Sequence, residues 1–237
     1  MRRDVDNREL IKRIIETDGK WLESDERPVY VIQCLQRKKD GCEFDNRPVY
    51  QHTLDRLDKI DKYFDIAVAK AIECNARVYI NVSPKDMQKV SLRTAQEFIN
   101  INLNGEINKS LESLLYSSLL KSGCSLIKKH IFDLDVETEV ELNTIKEWAN
   151  NSLNGIYEII PTISGYHMLV EADDYCKDYY LDTMSPAMKM LVIKIYMTNN
   201  HLTEIPNKHF KTMWNNLIHK ESGNTLVYYK HPLKNNK

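Results

Sequence analysis

Two short segments in the second half of the chain carry residue types that do chemistry. Ile131-Phe132-Asp133-Leu134-Asp135 is an apolar run ending in two carboxylates one residue apart. Thr162-Ile163-Ser164-Gly165-Tyr166-His167-Met168-Leu169-Val170 sets a serine and a histidine just before a second apolar run. Residues two apart on a strand project from the same face, so a strand here would hold Asp133 and Asp135 side by side. Two anions that close repel each other unless a cation sits between them. Hard oxygen ligands of this kind suit Mg²⁺ or Mn²⁺. Each segment also has a plainer use. Asp-x-Asp at a strand end serves as a helix cap, Ser-Gly makes a hairpin turn, and a lone histidine packs in a core.

The rest of the composition limits what such a site could belong to. The chain has 237 residues, 42% hydrophobic and 28% charged, ordinary for a folded globular protein and far from a disordered composition. No apolar stretch approaches the roughly 20 residues needed to span a bilayer. Met1-Arg2-Arg3-Asp4-Val5-Asp6 lacks the apolar core of a signal peptide, so the expected location is cytoplasmic, without membrane attachment. Cys34, Cys42, Cys74, Cys124 and Cys176 form no C-x-x-C pair, which argues against a zinc ribbon or a disulfide framework. A formal net charge of −1 argues against a broadly basic nucleic-acid coat but leaves room for local basic patches. Two exist, Arg37-Lys38-Lys39 and Lys128-Lys129, and solvated surface is their simplest use.

The elements that must position these residues follow from periodicity. Leu10, Ile11, Ile14 and Ile15 have amphipathic helical spacing, and Val29–Leu35 and Arg77–Val82 have the β-branched character of strands. Residues 37–48 read as a polar turn broken at Asp40-Gly41. Apolar positions from Leu54 to Ala71 recur at three and four, predicting a helix over about 52–74. Two further helices are expected at 86–103 and 107–120. Then come a strand at about 129–135, a helix at 141–153 and strands at 156–160 and 166–170, joined through 161–165. The stretch 186–199 fits helix or strand, 207–219 reads as helix, and 225–229 as a closing strand. This alternation predicts a layered α+β fold with a mostly antiparallel sheet. From about 129 onward the order comes close to a split βαβ, RRM-like core flanked by helices. The expected organisation is an N-terminal α/β subdomain over 1–125 packed on a site-bearing core over 126–237.

In order and content, Phe132-Asp133-Leu134-Asp135 followed by Ser164-Gly165-Tyr166-His167 resembles the archaeo-eukaryotic primase superfamily, which includes primase-polymerases. The likeness is to a divergent small member of phage or bacterial type. It covers about 131–221, and the two motifs are separated by one helix and one strand. The resemblance implies that Asp133 and Asp135 bind Mg²⁺ or Mn²⁺ with a third acid further on. That acid would be Glu221, where the family has Asp; Asp173 and Asp174 are rivals. It further implies that Ser164, Gly165 and His167, with Lys220, contact nucleotide phosphates. Arg37, Lys38 and Lys39, or Lys128 and Lys129, would neutralise a DNA or RNA backbone. The implied activity is metal-dependent nucleotidyl transfer with nucleoside triphosphates on nucleic acid. Two alternatives stay open. One is a catalytically reduced nucleotide- or nucleic-acid-binding accessory or counter-defence protein. The other is a nuclease using the same carboxylates.

Overall fold

The computed structural model describes residues 3–21, 28–105, 110–153, 157–171, 184–219 and 223–230. Within them the chain builds two antiparallel sheets with helices packed against both, an α+β architecture. It starts with β1 (Val5–Asp6) and α1 (Arg8–Trp21), then the hairpin strands β2 (Pro28–Gln36) and β3 (Arg47–Leu54). α2 (Ile60–Cys74), β4 (Arg77–Asn81), β5 (Lys85–Asp86), α3 (Met87–Leu103) and α4 (Leu111–Leu119) follow. The second half runs β6 (Lys129–Leu134), α5 (Glu139–Ser152), β7 (Glu158–Pro161) and β8 (Tyr166–Glu171). It continues with α6 (Pro186–Asn199), α7 (Phe210–Leu217), β9 (Ile218–His219) and β10 (Asn224–Tyr229).

The first sheet has the order β1-β10-β4-β2-β3, with β5 beside β2, and the second has the order β7-β8-β6-β9. β10 therefore returns from the C-terminal half to pair with β1 and β4. Strands from either side of position 125/126 thus lie in the first sheet.

One strand differs from expectation. Arg47–Leu54 was expected to divide between a polar turn and the start of a long helix, but it pairs with β2 from Tyr30↔Leu54 to Gln36↔Arg47. The apolar three-four spacing beginning at Leu54 belongs to a helix that starts only at Ile60. Pro48 sits on an edge strand, where a missing N–H costs no ladder bond. The ambiguous stretch 186–199 is a helix. Ser185 caps it through the Met188 N–H, and Pro186 at the first turn has a fixed φ suited to that position.

Strand alternation divides the core. On β6 and β8 the side chains of Phe132, Leu134, Met168 and Val170 face α5, α6 and α7. There Trp214 is fully buried, 5.1 Å from Phe132 and edge-on to Trp148 at 5.4 Å between ring centroids. The intervening residues Ile131 and Leu169 face the other way, into a core shared with Ile32, Val78, Phe64 and α1. Asp133 and His167 continue that second face towards the end of the sheet. Fixing the apolar set of β6 on both sides thus fixes where its carboxylates emerge.

Candidate active site

The face of β6 that carries Ile131 ends in Asp133, and the next residue of that parity is Asp135. Both are half-buried and open into a cleft of about 250 Å³ between the two sheets. The second sheet supplies Asp133, Asp135, Thr162, Ile163, Ser164 and His167 to its wall. The opposite wall comes from the first sheet and the turn after β2, with Arg37, Lys39, Arg77, Tyr79, Asn224 and Leu226. The cleft is thus acidic on one side and cationic on the other.

Register places the histidine. Asp133 and His167 are direct cross-strand partners on the β6–β8 ladder, and His167 Nε2 lies 3.8 Å from Asp133 Oδ1. The other ring nitrogen, Nδ1, is 3.0 Å from Thr225 Oγ1 on β10, so the imidazole is gripped from both sheets. Only 12% of the His167 side chain is exposed, against 33% for Asp133; the carboxylate is the more open of the pair.

The Ser164 turn is held against the end of β6 by a glycine. A Cβ on Gly165 would stand 2.3 Å from the Leu134 carbonyl oxygen and 3.0 Å from Asp135 Cα, so only glycine permits this approach. Ser164 Oγ then reaches Asp135 Oδ1 at 3.4 Å. The turn closes on itself through Thr162 N–H to the Gly165 carbonyl at 2.9 Å and Gly165 N–H to Thr162 Oγ1 at 3.1 Å. Arg3 braces it from outside, donating to the carbonyls of Thr162 and Gly165 while its guanidinium stacks on Tyr166. Asn7 ties the sheets together just behind, its amide donating to the Pro161 and Leu226 carbonyls at 2.8 Å each.

On the cationic wall, Arg77 is buried. Its guanidinium donates through two nitrogens to the fully buried carboxylate of Asp40 and lies over the ring of Tyr229. Burial is the largest single influence and opposes its charge, but Asp40 and Tyr79 together more than offset it, and the pKa of Arg77 is raised. Arg37 pairs with Asp45 at 2.9 Å. Lys39 remains accessible, yet surrounding protein lowers its pKa and the Arg77 and Arg37 charges add to that; Asp40 and Asp133 pull the other way.

The two acids, the serine, the glycine and the histidine are brought together at one end of the β6–β8 pair. Arg37 and Lys39 join them, and Lys38 is exposed outside the cleft. The Asp-x-Asp pair is not the cap of the following helix: Thr138 caps α5 in a capping box with Glu141. Glu221, Lys220, Asp173 and Asp174 lie outside the described residues. The Lys128-Lys129 patch is corrected. Lys129 turns inward from β6 and forms a buried ion pair with Asp18, so it offers no charge to a nucleic-acid backbone. Lys128 is exposed, but it precedes β6 and stands about 16 Å along the strand from Asp133.

Sequence reasoning missed Arg77, Asp40 and Thr225. Asp40 appeared only as part of a turn, and Thr225 only as the start of a strand. An arginine opening the apolar strand Arg77–Asn81 was the one available signal, because a charge entering a buried strand needs a partner.

Among the described residues, no three carboxylate, imidazole or thiol groups converge as a closed metal cage. Two carboxylates on one open face do fit a hard cation that takes its remaining ligands from water and substrate phosphates, the usual habit of Mg²⁺. The chain matches no protein-family model, no curated protein and no solved structure.

Proposed function

We propose that this chain is a metal-dependent nucleotidyltransferase of the primase-polymerase type, acting with nucleoside triphosphates on nucleic acid. The observation that carries the reading is the convergence of Asp133, Asp135, Ser164 and His167 on one cleft, with Asp133 and His167 direct partners on adjacent strands. The strand order supports it. β6, α5, β7 and β8, followed by α6, α7 and β9, pair as β7-β8-β6-β9, an order that favours a split βαβ, RRM-like core.

Each residue has a role in this reading. Asp133 and Asp135 hold a divalent cation, which when bound supplies charge neutralisation at the phosphoryl group. His167, oriented by Thr225, donates to a phosphate oxygen from Nε2. Ser164 donates from the same side, exchanging its long contact with Asp135 for one with the ligand. Arg37, Lys39 and Arg77 face them across the cleft with the cations a polyphosphate requires.

The test is incorporation of labelled nucleotides on primed and unprimed templates in Mn²⁺, with the Asp133→Asn/Asp135→Asn double variant as control. Incorporation that the double variant abolishes is expected. Nucleotide binding without turnover would point instead to an accessory binding protein. Degradation of a plain oligonucleotide without triphosphate would point to a nuclease.

A further inference from the structure

Helix α3 buries one face and turns the other to water. Val90 is buried and Met87 half-buried, packed with Leu119 of α4 and Val29 and Val31 of β2. On the opposite side of the helix, Leu92, Ile99 and Leu103 are 62%, 55% and 79% exposed. Ala95 and Gln96, on the same stripe, are exposed as well. A helix face turned to water ordinarily carries charge. This stripe carries none. The charged residues of the helix lie off it, with Lys89 3.4 Å from Asp86 and Arg93 bonded to Glu97 at 3.1 Å.

Leu92, Gln96, Ile99 and Leu103 are separated by four, three and four residues, the spacing of a coiled-coil seam. Reversed, the same order still sets leucine against leucine at the ends and Gln96 against Ile99 in the middle. A two-fold axis demands that property of any patch that meets its own copy. One polar residue in a seam costs stability but fixes the register. Area sets the strength. The stripe exposes on the order of 400 Å² per copy, so pairing removes roughly 800–1,000 Å² from water, at the low end for specific interfaces.

We propose that this stripe is the contact surface of a reversible homodimer. In it α3 packs antiparallel on α3 of a second copy, about a two-fold axis beside residues 97 and 98. Leu92 meets the partner's Leu103, and the stem of Gln96 lies on the partner's Ile99. So small an area gives a micromolar dissociation constant. No residue of the cleft takes part, and the dimer stands or falls independently of the nucleotidyltransferase reading.

The experiment is sedimentation equilibrium of the full chain from about 1 to 500 μM. Wild type is expected to pass from monomer to twice the monomer mass across that range. Ile99→Glu sets like charges beside the axis and is expected to raise the dissociation constant at least about tenfold. Melting at low concentration, where both proteins are monomeric, is expected to agree within about 2 °C, because Ile99 is exposed. Val140→Glu, on the exposed side of α5, is the matching control and is expected to associate like wild type. Leu92→Lys alone is expected to weaken the dimer. The double variant Leu92→Lys/Leu103→Glu brings opposite charges together only in the antiparallel pair, and is expected to regain association. A monomer at every concentration overturns the proposal, whether another protein or nothing then covers the stripe. Association that Ile99→Glu leaves intact overturns it too, as does mass that climbs past two copies, the mark of a head-to-tail contact. A double variant weaker than Leu92→Lys overturns the antiparallel arrangement.

Discussion

Replacing Gly165 with alanine tests whether the close approach of the Ser164 turn to β6 builds the site. The added Cβ would lie 2.3 Å from the Leu134 carbonyl oxygen, a separation that real Cβ atoms essentially never show below 3.0 Å. The obstructing atoms are backbone in a central strand, so no side chain can swing aside. Gly165 has no positive φ, so the penalty is steric alone. The turn and β6 must separate by at least about 0.7 Å, at a cost near the top of the overpacking range, about 2–3 kcal/mol. In a chain of this length that lowers Tm by roughly 4–12 °C. The same displacement moves Ser164 away from Asp135. A shift approaching 1 Å at reacting groups costs up to about a hundredfold in rate. Gly123 is the internal control, because a Cβ there meets nothing within 4 Å and its φ is ordinary. Gly123→Ala is expected to be neutral or to stabilise by up to about 1 kcal/mol, by restricting the unfolded chain. Calorimetry and nucleotide binding on both variants decide it. If Gly165→Ala melts within about 1 °C of wild type and binds nucleotide equally well, the close-packing argument is wrong.

Further outcomes are expected elsewhere. Thr225→Val removes the hydroxyl that faces His167 Nδ1. It is expected to weaken phosphate-ligand binding by about three- to tenfold with little change in Tm, read by titration and melting together. Lys129→Met strands the buried Asp18 carboxylate, whose pKa burial already raises, and is expected to destabilise by about 3–5 kcal/mol. Lys129→Met/Asp18→Leu should recover most of that, and a double variant no better than the single would refute the pairing argument. Lys85 is fully buried, donating to Ser125 Oγ and the Lys121 carbonyl, and burial lowers its pKa from 10.5 to about 8. The unfolded chain therefore binds more protons than the folded one between about pH 8 and 10.5, and folding stability rises with pH across that window. Denaturant melts of wild type and Lys85→Met should diverge there by up to about 3 kcal/mol, with the upward drift confined to wild type.

Much of the fold was legible locally. Val29–Leu35, Arg77–Val82 and the Asp-x-Asp strand are β-branched, apolar runs bounded by turns, and they form β2, β4 and β6. Arg47–Leu54 was not legible, because Pro48 and a mixed polar pattern hide an edge strand whose stability comes from pairing with β2. Lys129 shows the same limit at one residue. Two adjacent lysines look alike in sequence, yet strand parity sends Lys129 inward to Asp18 while Lys128 precedes the strand and stays exposed.

The sequence by itself determined the acidic half of the cleft. Residues two apart on a strand share a face, and Gly165 permits the turn that brings Ser164 beside Asp135. Tertiary structure decided the rest. Asp40, Arg77 and Thr225 lie far from β6 in sequence; Arg77, held by Asp40, lines the opposite wall of the cleft, and Thr225 reaches His167 because β10 carries the C-terminal half back into the first sheet. The register between strands distant in the chain depends on which apolar faces bury each other, and that property belongs to the assembled core rather than to any one segment.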